Sequence, residues 1–241
     1  FRAMKMRFLH CPEEGLEGMH HNIHLVRLLR DTVGPDIEIM ADAYMGWNFN
    51  YAKKMCNRLE KYNMAWIEEP FVPDDLNSYA KLRQETSIPI SGGEHEYTKF
   101  GFLNIIEKEA MDIIQPDPSH SGGITETYRI AAMAEAHDVA LALHCPLGPI
   151  ALAANLQLDA VCYNAFIQEQ SLGIHYNKGS DLLDYLTNPG VFDYRDGFVA
   201  IPDGPGLGID VNEDRVRQEA AGGHRWRNPI WRHADGSFAE W

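Results

Sequence analysis

The sequence predicts an α/β fold in which parallel β/α units close into a barrel. Three observations lead there. Seven short apolar or β-branched runs (3–8, 37–41, 65–67, 88–91, 111–114, 139–143 and 165–167) alternate with longer segments of helical spacing. An ionisable residue follows six of these runs at a nearly constant interval. The length, 241 residues, suits a single barrel better than two ordinary domains.

Among the helical segments, 24–33 would bury a face of Leu25, Leu28 and Leu29. Segment 51–62 carries Met55 and Leu59 at i, i+4, and segment 124–137 turns Ile130, Met133 and Ala134 inward. Gly34-Pro35 and residues 86–89 punctuate the joins. After Gly173 the alternation breaks into a Gly/Pro-rich run at 202–208 and an end bearing Trp226, Trp231 and Trp241. The expected organisation is therefore a barrel over 1–172 and a C-terminal segment over 173–241 that packs on it.

Composition narrows the class. Twenty-one Lys+Arg against 35 Asp+Glu give a net charge of −14, which repels phosphate backbones and argues against nucleic-acid binding. No apolar run approaches the ~20 residues of a membrane span, and residues 1–7 do not read as a signal peptide. Cys11, Cys56, Cys145 and Cys162 form no CxxC pair. They read as reduced thiols of a cytoplasmic protein, with neither a disulfide frame nor a zinc knuckle.

The chemistry lies in the residues that follow the runs. Asp42, Glu68, Glu94, Asp117, His144 and Glu169 are spaced 26, 26, 23, 27 and 25 residues apart, about one strand-plus-helix unit each time. In a barrel these positions share the C-terminal mouth, where active sites are built. Taken singly, a carboxylate at a strand end caps a helix or sits in a solvated loop. Three on adjacent strands repel one another and call for a cation, and an all-oxygen set favours Mg²⁺, with Mn²⁺ as the other choice. Glu69 and Glu96 read as local hydrogen-bonding neighbours, and Cys145 as packing.

Asp42, Glu68 within Ile-Glu-Glu-Pro, Glu94 within Gly-Gly-Glu, and Asp117 with His144 resemble the enolase superfamily, mandelate-racemase branch. The resemblance runs from Ala3 to the C-terminus. It implies a (β/α)7β barrel whose strands two to eight are represented here, with a first unit and an N-terminal α+β capping domain lying outside these 241 residues. It also implies a Mg²⁺ site on Asp42, Glu68 and Glu94 and abstraction of the proton α to a carboxylate. His144 would be the base, Asp117 would fix its tautomer, and Lys5 would neutralise the substrate carboxylate. Glu169 would contact a carboxylate oxygen, donating from a protonated state. Some branch members place a second lysine two residues after the first as an opposing base. Here that position is Arg7, a poor base, which favours elimination over racemisation.

The finer resemblance is to sugar-acid dehydratases, which implies a small-molecule aldonate substrate and a homo-oligomer. Gln115-Pro116-Asp117, the stretch from His144 to Leu152, and 168–177 are similar to the galactonate type. That type carries a histidine where this chain has Tyr44. Asp42-Ala-Tyr-Met-Gly-Trp and Gly93-Glu-His are similar to the rhamnonate or lyxonate type, in which the histidine directly after the third metal ligand stands near the leaving group. His95 is thus the expected general acid, since an imidazolium donates at neutral pH more readily than the Tyr44 phenol. Arg7, Tyr44, His20 and His21 are the expected substrate-binding residues, the two histidines reaching in from the loop after the lysine strand. Two other readings compete. A metal-dependent hydrolase lacks its His-x-His pair here, and a catalytically silent barrel would have lost a ligand or the dyad.

Overall fold

The computed structural model describes residues 1–171 and 182–223, together with Arg232 and Gly236. Six parallel strands stand in chain order in one sheet: β1 (Ala3–Arg7), β2 (Glu38–Asp42), β3 (Trp66–Glu68), β4 (Ile90–Gly92), β5 (Ile113–Ile114) and β6 (Ala140–Leu141). Helices follow them: α1 (Gly15–Val33), α2 (Phe49–Leu59), α3 (Leu76–Glu85), α4 (Thr98–Glu107), α5 (Ile124–Glu135) and α6 (Pro149–Asp159), with α7 (Glu213–Ala221) in the C-terminal region. Among the described residues no helix is long and apolar enough to cross a membrane.

Strand parity creates two apolar layers. Ile39, Ala41, Ile67, Ile90, Ile114 and Leu141 join the helix residues Val26, Met55, Leu59, Tyr79, Leu82, Phe102 and Ile130 in the main core. Met40, Trp66, Ile113 and Ala142 form a smaller inner layer. Register carries that inner parity to the strand ends. Lys5 pairs with Met40 and Met40 with Trp66, while one layer higher Arg7 pairs with Asp42 and Asp42 with Glu68. Period-2 geometry thus aims Lys5, Arg7, Asp42 and Glu68 to one side. The sheet curls far enough for Lys5, on the first strand, to meet Glu169, beyond the last, at 2.7 Å.

Three expectations need correction. The seventh run contributes one parallel bridge, Leu141 to Ala165, and no strand, because the Ala165 N–H is spent on a turn to Cys162 at 3.1 Å. Helix α1 begins at Gly15 instead of 24, through a Glu14 carboxylate that accepts the Cys11 N–H at 2.7 Å. Its buried face is Met19, Asn22 and Val26, whereas Leu28 is 53% exposed. Helix α2 starts two residues early, where the Asn48 side chain accepts the Tyr51 N–H at 3.0 Å, and ends in a 3₁₀ turn at Tyr62.

Residues of the C-terminal region, among them Leu186, Phe192, Leu207 and Ile209, cluster with Leu152 and Leu156 of α6. Trp226, Trp231 and Trp241, together with His175 of the dehydratase-like stretch, lie outside the described residues. Ile67 is fully buried at the centre of β3. Ile67→Ala is expected to cost about 2–5 kcal/mol, read as a lower urea midpoint with an unchanged slope.

Candidate active site

The mouth is organised around Glu68, which is fully buried and has both oxygens occupied. Lys5 Nζ lies 2.5 Å from Oε1, while Trp66 Nε1 and Gln115 Nε2 donate to Oε2 at 2.9 and 2.8 Å. The same ammonium meets Glu169 Oε1 at 2.7 Å. Burial alone would lower Lys5, but the charges of Glu68 and Glu169 outweigh it and hold the ammonium above its ordinary range. Glu169 also accepts the Cys145 N–H at 2.7 Å. Its burial would raise it, yet Lys5 and His144 hold it low and ionised. In this arrangement Glu169 accepts from the Lys5 ammonium and from the Cys145 N–H.

His144 lies three residues past β6. Its Nδ1 is 3.0 Å from Asp117 Oδ2, and its Nε2 is turned toward Glu94 Oε2 at 3.3 Å. Asp117 Oδ1 accepts the Ser119 N–H at 2.8 Å. Burial opposes ionisation of Asp117, but the bond to His144 and that N–H draw it below the usual carboxylate range. Burial likewise would lower His144, and Asp117, Glu94 and Glu169 together raise it. The Asp117–His144 dyad is thus assembled as expected, with one ring nitrogen engaged and the other facing the carboxylates.

His95 forms a second pair with Glu69, Nδ1 to Oε2 at 2.9 Å, and this bond is the main reason its imidazolium is favoured. Glu69 is buried, and its left-handed φ of +39° turns it in toward the Gly93 N–H, which it accepts at 3.3 Å. Gly93, at φ +107°, has no room for a Cβ, which would lie 3.0 Å from the Phe102 ring. Tyr44 presents its ring to the Arg7 guanidinium, 3.6 Å away, and stands edge-on to His95 at 5.9 Å. Arg7 also approaches Asp42 at 3.9 Å. Glu96 accepts only the neighbouring Tyr97 N–H, at 2.8 Å, as a local partner.

Two expected residues lie elsewhere. His20 and His21 are exposed positions within α1 and not in a loop, because the helix begins before them; the His21 ring stacks on His10 at 5.0 Å. Cys145 is 1% exposed and its thiol is pushed well up by burial and Glu169, which leaves it as packing. The sequence reading missed Gln115 and Trp66 as holders of Glu68, although both stand in motifs that carry the acidic residues. It also gave Glu69 too small a part, since a Glu-Glu doublet does not say which member faces which neighbour.

Asp42 and Glu94 carry an excess of negative charge that a hard divalent ion would relieve. Burial first, and then Glu68, pushes Asp42 up to about 7; burial and Glu69 push Glu94 up to about 7 as well. A cation would reverse both shifts. At the mouth, among the described residues, the donor atoms that lie within 4.8 Å of one another are those of Glu69, Glu94 and His95; the expected triad of Asp42, Glu68 and Glu94 is not drawn together to that distance, and Glu94 is common to both sets. With divalent ions chelated, Asp42 and Glu94 keep protons in the folded state that the unfolded chain gives up near 3.8 and 4.5. Their stabilising effect is full below pH 4 and is lost as pH rises to about 7. Urea midpoints in EDTA should fall across that window, and Glu94→Gln should flatten the fall and raise the midpoint above pH 7.

Comparison with known proteins places the chain in a family. The chain is 48% identical over 235 residues to the D-galactonate dehydratase of Ralstonia pickettii (strain 12J), covering 96% of this chain and 62% of that protein. It therefore spans less than two thirds of the length of that curated relative. An enolase from Agrobacterium radiobacter, solved with sodium and L-malate, superposes with a TM-score of 0.86 at 30% identity, over 99% of this chain and 63% of that one. An enolase from Bradyrhizobium complexed with magnesium and mandelic acid gives 0.76 at 30% identity, over 90% and 54%. The sequence profile described as enolase C-terminal domain-like matches residues 1–215, and the chain belongs to that family, within the enolase superfamily.

Proposed function

We propose that this chain carries the catalytic barrel of a Mg²⁺-dependent sugar-acid dehydratase, which converts an aldonate to its 2-keto-3-deoxy acid. The observation that carries the reading is the Asp117–His144 pair, whose Nε2 is aimed at the carboxylate cluster beside Lys5. The 48% identity to a D-galactonate dehydratase supports it. Asp42, Glu68 and Glu94 would hold the ion, which when bound supplies positive charge beside the substrate carboxylate and makes the α-carbon more acidic.

Lys5, fixed between Glu68 and Glu169, offers its ammonium to the same carboxylate. His144 takes the α-proton at Nε2 while Asp117 keeps Nδ1 protonated and the ring oriented. The C–H electron pair moves first into the substrate carboxylate as an enolate, and then forms the C2–C3 double bond as the C3–O bond breaks. His95, kept charged by Glu69, gives the departing hydroxyl a proton, so that it leaves as water. The resulting enol tautomerises to the 2-keto acid. Arg7 lies over Tyr44 and is too weak a base to return a proton from the opposite face, so elimination prevails over racemisation.

The His95–Glu69 bond favours a second, narrower reading. The acid arm is of rhamnonate or lyxonate type, whereas the overall similarity is to the galactonate type. A panel of D-galactonate, L-rhamnonate and L-lyxonate given to the full-length protein, with the 2-keto-3-deoxy product measured, separates the two. His144→Asn should abolish both product and exchange of the α-proton with D₂O. His95→Asn should lower dehydration by about 10²–10⁴-fold and leave exchange intact. Dehydration by His95→Asn at the wild-type rate would remove that histidine from the acid role. A catalytically silent barrel would show neither exchange nor Mg²⁺-dependent stabilisation.

A further inference from the structure

We infer that Asn155, on helix α6, is a positioning residue for His144, an inference that rests on His144 being the base. Its side chain is fully buried, and its Nδ2 donates to the His144 carbonyl at 3.1 Å. Its Oδ1 is equally buried and accepts no hydrogen bond. Its neighbours on α6, Leu152 and Leu156, pack in an apolar cluster with Cys145. A half-satisfied amide at such a place is less favourable than a hydrophobe of the same size. What the amide contributes is the one bond it makes.

That bond matters because of where the chain has left the sheet. Strand β6 ends at Leu141, and α6 opens only at Pro149, after Gly148 at φ +107°. Past Ala142, whose N–H still reaches the Ile114 carbonyl at 3.1 Å, the backbone of the base is held by side chains instead of a ladder. Gln168 donates to the Leu143 carbonyl at 3.1 Å. The peptide joining His144 to Cys145 is gripped on both edges: its C=O by Asn155 at 3.1 Å and its N–H by Glu169 Oε2 at 2.7 Å. Two opposed bonds on one peptide plane fix its rotation, and with it the direction in which the His144 ring leaves the backbone. The Glu169 side of the clamp is tied in turn to Lys5. The Asn155 side is tied to a helix, which sets the height of the plane.

The inference is tested by Asn155→Leu, which keeps the branched shape at a larger volume and removes the donor, and by Asn155→Ser, which keeps a shorter donor, both in the full-length protein. Crystal structures of the variants read the position directly. In Asn155→Leu the 144–145 peptide should rotate and the His144–Asp117 bond lengthen, with Asn155→Ser closer to wild type. With an aldonate that the wild type turns over, kcat of Asn155→Leu should fall about 10- to 100-fold while KM changes little, and Asn155→Ser should recover part of the loss. An unmoved peptide and dyad in the leucine variant would overturn the inference. So would a kcat loss that disappears once activity is scaled to folded protein. Should Asn155→Leu fail to fold, the serine variant carries both readouts. If the wild type turns over no aldonate, the proposed function fails, while the dyad geometry in the variant crystals still decides the role of Asn155.

Discussion

The site depends on one half-buried cation shared by two carboxylates. Lys5, on β1, stands between Glu68 at the end of β3 and Glu169 beyond β6, so a single ammonium joins the first strand to the last loop. Ion pairs in such surroundings contribute little net stability, because desolvation offsets most of the attraction. Their effect here is positional. Remove the charge and two acidic groups are left facing each other with little water; keep it, and Glu169 is free to hold the Cys145 N–H and, through it, the peptide that bears the base.

The remaining ionisable groups divide into two sets with different surroundings. Asp117 and Glu169 each have a cationic or N–H partner and stay ionised at any neutral pH. Asp42 and Glu94 are desolvated beside other acids and resist ionisation until about pH 7. The first set holds the His144 ring and the Cys145 N–H. The second is poised for an added positive charge, which the Tyr44–Arg7 stack, the nearest cation to Asp42 besides Lys5, does not fully supply. Separating the two sets in this way lets one mouth hold both a group of carboxylates short of positive charge and the hydrogen-bonded Asp117–His144 pair.

Much of this was legible in the sequence because two periodicities coincide. The interval between successive acidic or imidazole residues equals one β/α unit, and the alternation within each strand puts Lys5, Asp42 and Glu68 on one side. What was not legible was set by contacts between distant segments. Gln115, Trp66 and Asn155 are chosen by what they face across the barrel, which no local pattern encodes. The first turns of α1 were hidden because Gly15 and Gly18 break the apolar spacing. Gly18 is small for a tertiary reason: a Cβ there would lie 2.7 Å from that of Glu14 and 2.9 Å from that of His10. His20 and His21 were assigned to a loop for the same reason. The last run, 165–167, has the composition of a strand but gives its first N–H to a turn.

The strands shorten steadily around the sheet, from five residues in β1 and β2 to three in β3 and β4 and two in β5 and β6. The half of the mouth that concentrates negative charge is therefore anchored by backbone pairing, which is indifferent to side-chain identity. The segment past the shortest strands that carries His144, the proposed base, is anchored by individual amides and carboxylates, which single substitutions can create or delete. A lineage built this way can retune its proton chemistry by point changes on one flank while the opposite flank stays as inherited.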